Sequence, residues 1–223
     1  MKHIKAFLLA TVACLGASFT WANGGHFAVD DAGITPGGNC GMETWVSRVR
    51  STNMATVNPM CNFTGGSEWA LPLVYDLDSS NLAYMGLNYK TVWLDSARGP
   101  ALAFDTGFLY DRQNREFDNY YINIPASLQV LENLTMHLNG GLRHDRAPRD
   151  TYATWGLAAT VKTVNGPLII MEYADDDRHD PLVAIGARFR VGATHWTLDL
   201  GVARETGPGE NIFTIGLNIP RFF

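Results

Sequence analysis

The chain has little of what marks a helical membrane protein, a nucleic-acid binder or a familiar enzyme. After residue 22 no apolar run approaches the roughly 20 residues that a membrane-crossing helix needs. Mean hydropathy is −0.06, ordinary for a chain that lives in water. There is no basic run, and the formal net charge is −5, so no nucleic-acid partner is expected. Cysteine is scarce, three residues in 223. No Cys-x-x-Cys, His-Glu-x-x-His, Walker or dinucleotide-type glycine pattern occurs, so neither a cofactor nor a catalytic set is expected and the chain is not read as an enzyme. Helical periodicity is nearly missing as well.

What is present begins with an export signal. Lys2 and Lys5 lead, Ala6–Phe19 is apolar, and Thr20-Trp21-Ala22 ends on a small residue, which predicts a cleaved signal peptide over 1–22. The apolar run is too short to span a membrane and is followed at once by Asn23-Gly24-Gly25. Cys14 makes a poor lipidation site, because Thr11 stands where such signals want a leucine-like residue. Removing residues 1–22, which carry Lys2 and Lys5 and no acid, takes the charge from −5 to −7 and leaves 201 residues, one domain's worth. Of the remaining cysteines, Cys40 and Cys61, an exported pair in an oxidising compartment reads as a disulfide rather than a metal site.

Residues 23–39 form a Gly-rich periplasmic leader without periodicity, expected to lie below the following domain or tuck into its mouth. From Cys40 to Phe223 the chain reads as about twelve extended segments divided by turn residues. Their alternation is clear: Leu134, Met136, Leu138 and Leu142 stand opposite Thr135, His137, Asn139 and Arg143, and Trp196, Leu198, Leu200 and Val202 opposite His195, Thr197 and Asp199. Trp69, Tyr75, Trp93, Tyr110, Tyr120, Tyr173 and Trp196 sit near the ends of the apolar rows, as in interfacial girdles.

The final segment, Asn211–Phe223, puts Phe213, Ile215, Leu217, Ile219, Arg221 and Phe223 on one face. An apolar, aromatic-ended last strand is an odd edge in water but suits a barrel closed in lipid. It resembles the last strand of bacterial outer-membrane β-barrels, in which the terminal Phe is the assembly signal; Phe223 would then engage the barrel assembly machinery, although Arg221 departs from the usual apolar residue. The predicted fold is all-β, an antiparallel transmembrane barrel of 10–12 strands with short periplasmic turns and longer extracellular loops, in the outer membrane of a Gram-negative cell. Its partners are outer-membrane lipid, lipopolysaccharide and a small-molecule solute. A secreted β-sandwich is the soluble alternative.

The inward-facing residues of such a barrel would be Lys90, Asp105, His137, Arg143, Lys162, Glu172, Arg188, Arg190 and Asp199. They suit a polar channel, with Arg188 and Arg190 as an anion contact, or a charge network that stiffens a plugged barrel. His137 and His195 have no obvious serine beside them, which leaves a membrane-embedded hydrolase without a nucleophile. The loop run Asp175–Asp180 offers Asp175, Asp177 and Asp180 as a weak cation site; a solvated loop tip explains them as well.

The start of the predicted mature chain carries Asp30-Asp31, then Pro36-Gly37, then Glu43 in the first strand. In this it resembles a family of proteobacterial outer-membrane barrels labelled by association with the meta-cleavage pathway of phenol degradation. That resemblance implies a barrel that takes up small, often hydrophobic molecules, with no catalytic residues to carry over. The function expected is a passive channel or uptake porin; the alternative is a plugged structural or surface-interaction barrel.

Overall fold

The structure, a computed structural model, describes residues 27–49, 51–95, 100–147, 149–207, 209 and 211–222. The expected signal peptide, the first residues of the leader and Phe223 lie outside them. Thirteen strands follow in order: β1 (Asn39–Val49), β2 (Thr52–Asn62), β3 (Ser67–Ala70), β4 (Leu73–Asp76), β5 (Asn81–Leu94), β6 (Ala101–Asp111), β7 (Glu116–Leu131), β8 (Leu134–Asp145), β9 (Asp150–Lys162), β10 (Leu168–Asp176), β11 (Leu182–Arg190), β12 (Thr197–Glu205) and β13 (Asn211–Ile219). Each pairs antiparallel with its neighbours, and β13 returns to β1, with Met42 opposite Ile219 and Arg48 opposite Phe213. The sheet is therefore a closed barrel. β3 and β4 lie end to end between β2 and β5, so the thirteen segments make twelve crossings.

Proline explains that break. Pro72 has no N–H to give the ladder, yet its carbonyl still accepts the Gly86 N–H at 2.9 Å, and the Leu71 N–H reaches the Pro59 carbonyl at 2.9 Å. The wall thus stays sealed where the strand bends. The same logic ends β13 earlier than the alternation suggests. It stops at Ile219, before Pro220, and the chain is then held by the Phe222 N–H on the Cys40 carbonyl at 2.8 Å. Ile219, expected on the outer face, is buried instead. The strands also run further into the connections than the turn residues imply. Connections 50–51, 77–80, 112–115, 146–149, 177–181 and 206–210 at the extracellular end consequently run from two to five residues, against two to six for 63–66, 95–100, 132–133, 163–167 and 191–196 at the other.

The alternation separates two surfaces. Outside stand Val57, Leu87, Ile122, Ile124, Leu138, Leu142, Leu157, Met171, Ile185, Leu200, Phe213 and Ile215, all exposed, in a band that follows the barrel around. A soluble protein does not leave so continuous an apolar belt in water; in hydrocarbon it is the expected exterior, and barrel closure pairs the backbone groups that lipid cannot satisfy. Aromatic contacts concentrate toward the two ends of this wall. Trp69 packs on Tyr89 (ring centroids 4.7 Å apart) and Trp93 stacks on Phe104 (5.5 Å), while Phe117 joins Phe108, Tyr110 and Tyr120 near the opposite end. Inside, Glu43, Asn58, Lys90, Asp105, Asn123, Asn139, Glu172 and Asp199 are buried. A disulfide joins Cys40 to Cys61, directly opposed on β1 and β2 at the periplasmic end.

Candidate functional site

The lumen is the site, and a segment of the chain itself runs through it. Residues 27–38 precede β1, lack helix or strand, and pass from the middle of the barrel to its periplasmic mouth. A single chain segment surrounded by wall cannot satisfy its own backbone, so the wall must supply donors and acceptors. It does. The Glu172 carboxylate of β10 accepts the N–H of Ala28 at 2.9 Å and of Val29 at 3.1 Å. The Asn139 carboxamide of β8 accepts the Asp30 N–H at 2.9 Å and donates to the Asp30 carbonyl at 2.7 Å, imitating a neighbouring strand. Ser127 accepts the Ala32 N–H at 2.9 Å, Glu68 accepts the Thr35 N–H at 2.6 Å, and Asn62 donates to the Thr35 carbonyl at 2.7 Å.

One charge pair and a small apolar cluster complete the seat. Lys90 Nζ lies 2.8 Å from both carboxylate oxygens of Asp30, with both side chains buried. Val29 sits over Gly156 and the Phe27 ring over Gly186; a Cβ at either glycine would meet these side chains at 2.6 Å. Ala28 and Val29 join Ala158, Ala174 and Leu182 in a buried cluster that Ala203 and Ile212 extend. Above Phe27 opens a cavity of about 280 Å³, walled by Met54, Val74, Leu109 and Leu182 with Arg143 and Asn119 among its polar groups. Below the leader lies a second, of about 390 Å³, bordered by Asp31, Glu43, Glu68, Arg188 and His195.

The expected lumen residues distribute unevenly over this geometry. Lys90, Asp105, His137, Glu172 and Asp199 are buried inside the barrel, and Arg143 reaches the upper cavity, where its Nε donates to Asp145 at 2.6 Å. Arg188 grips Asp199 across the β11–β12 pair through two bonds of 2.8 and 2.7 Å. Arg190 and Lys162 end their strands and are exposed, whereas Arg188, on the same face of β11 as Arg190, is bonded to Asp199. His137 does have a serine beside it: Ser127, directly opposite on β7, lies 2.9 Å from Nδ1, and Thr160 lies 3.3 Å from Nε2. Ser127 at the same time accepts the Ala32 N–H, so the hydroxyl–imidazole pair is part of the leader's seat.

At the extracellular rim the acids are spent on local turns. Asp176 accepts the N–H groups of Arg178 and His179, each at 2.7 Å, and His179 Nδ1 lies 2.8 Å from it. Among the described residues no three His, Cys, Asp or Glu side chains are grouped to hold a metal ion, Asp175, Asp177 and Asp180 included. Asp150 accepts from Arg178 Nε at 2.7 Å, and that bond raises the guanidinium's affinity for its proton. Hydrogen bonds from the side chain and backbone N–H of Asn53, each 2.8 Å long, hold the Asp78 carboxyl below its usual range.

Comparison with known proteins agrees with this architecture. The model of a family described as "Uncharacterised conserved protein UCP029691" matches residues 11–222. The chain belongs to that family. No curated protein matches it. Among solved structures the KdgM porin is similar with a TM-score of 0.62 at 10% identity, covering 82% of this chain and 99% of its own. The NanC porin is similar at 0.62 and 8%, covering 81% and 98%, and the COG4313 outer membrane channel from Pseudomonas putida F1 at 0.56 and 10%, covering 86% and 98%. At such identities the likeness is one of fold.

Several residues that matter here escape a reading by alternation alone. Asn139, Ser127, Asn62 and Glu68 act on the leader, as do Gly156 and Gly186, which matter for what they lack. Their common signal is an inward row rich in carboxamides, hydroxyls and glycine.

Proposed function

We propose that the barrel is a passive outer-membrane channel for small-molecule uptake, with its leader as an internal plug. The observation that carries this reading is the economy of the filling. Small closed barrels fill their interior with wall side chains; here a single segment occupies a twelve-crossing lumen, leaving cavities of about 280 and 390 Å³ above and below it. The fold shared with porins and a COG4313 channel supports the same conclusion, and a KdgM porin has been solved in complex with disordered oligogalacturonate. Within this reading residues 1–22 export the chain, 23–39 form the leader, and Phe223 presents the last strand to the assembly machinery. Lipid and lipopolysaccharide surround the belt. The lumen charges Lys90, Asp105, Arg188 and Asp199, with Arg190 at the rim, set ion preference. The narrower label, a barrel of the phenol meta-cleavage pathway, rests on residues 28–45 alone.

A second reading, a permanently plugged structural barrel, is favoured by the leader's many contacts. Reconstitution separates the two. Boiled and unboiled samples of the purified chain should migrate differently on a gel, reporting a closed barrel. Proteoliposomes made from the unboiled protein should then swell slowly in small solutes, and several-fold faster when residues 23–36 are deleted. A folded barrel whose vesicles stay tight to every small solute, with and without leader-releasing substitutions, would support the plugged reading.

A further inference from the structure

The lumen grips the leader chiefly by its main chain. Glu172 takes two successive N–H groups, Asn139 takes the N–H and C=O of one residue, and Ser127, Glu68 and Asn62 take three more main-chain groups. Any peptide offers these groups. Three features among the described residues ask for particular side chains: Lys90 faces an acid at position 30, and the hollows at Gly156 and Gly186 accept Val29 and Phe27.

Filling space does not require this. Phe27, Ala28 and Val29 against Ala158, Ala174 and Leu182 are apolar packing, which suffices to seat a plug. The wall has instead desolvated a carboxylate, an ammonium and a carboxamide, groups that are costly to leave without partners. A vacated lumen therefore favours any entering chain that returns the same partners. A donor–acceptor pair at peptide spacing, a carboxylate that accepts adjacent N–H groups and a buried ammonium together match a peptide. We infer that this track is a peptide-binding site whose resident occupant is the chain's own leader, and that a short acidic peptide with two apolar residues upstream is a solute class it accepts. The inference rests on the reading of the lumen as a conduit.

The test uses the barrel with residues 23–36 deleted and, in parallel, the full chain carrying Asp30→Lys, which sets a like charge against Lys90. Gel mobility before and after boiling verifies folding of each. A fluorescent peptide with the sequence of residues 27–36 is titrated in by anisotropy, beside a scrambled peptide of the same composition. The expected result is binding at least tenfold tighter for the native order, lost at least tenfold when Lys90→Met is added. Equal binding of both peptides, or binding of neither to a folded barrel, overturns the inference. Bilayer conductance of the same samples judges the channel reading separately: a conducting barrel that ignores the peptide sinks only the peptide site, and a silent barrel that binds it sinks the conduit and the peptide's role as a solute while leaving the binding site.

Discussion

At the scale of the residue, the Lys90–Asp30 pair bears most on the leader's seat. Both groups are buried, so removing one leaves the other charged and without its counterion, at a cost of about 3–5 kcal/mol. Lys90→Met should thus loosen the leader more than the wall, read as faster proteolytic cleavage between residues 27 and 38 with gel mobility unchanged. Unaltered protection would mean that the apolar cluster alone seats it. Gly156 makes the complementary case: Gly156→Leu places a branched side chain where Val29 packs, and cleavage should again quicken. Outside the membrane, Asp78 gives a pH dependence with a definite sign. Its folded pKa is depressed by Asn53, so the contact is present above the ordinary carboxylate value near 3.8 and is lost as pH falls through the lower folded value. Asn53→Ala should move the Asp78 titration upward in NMR of the detergent-solubilised barrel; an unmoved titration would remove Asn53 as the cause.

At the scale of the element, alternation made most strands legible. Residues 81–94 and 101–111 have the bounds their pattern suggests, and the ladder shifts register within them only at Val92/Leu94 and at Leu109/Tyr110. The pattern was less informative where backbone chemistry overrides it. Proline divides the third crossing and ends β13, and no face pattern registers a missing N–H. The Cys40–Cys61 bridge was readable from export, and its place is now clear: it clamps β1 to β2 beside the closure with β13. Its loop is short, with a separation of 21 residues, so its loss should cost about 3 kcal/mol. Cys40→Ser/Cys61→Ser should therefore lower the urea midpoint in detergent while leaving the boiled–unboiled shift intact. No change in midpoint would show that the barrel seam is held by its ladder alone.

At the scale of the whole molecule, a belt of lipid-facing side chains and a lumen of polar ones define the barrel, and both follow from period-two patterning along the chain. The leader's position did not follow from it. Residues 27–38 have no periodicity, and their partners Glu172, Asn139, Ser127, Lys90, Glu68 and Asn62 lie on strands scattered from β2 to β10. Only closure of the barrel brings those positions together around one segment. The central claim is that this segment, rather than the wall, closes a conduit. Single-channel current across a planar bilayer tests it most directly, recorded for the full chain and for the barrel without residues 23–36. The account predicts rare or small openings for the full chain and a steady, several-fold larger conductance without the leader. Equal currents from two folded barrels, or silence from both, would contradict it.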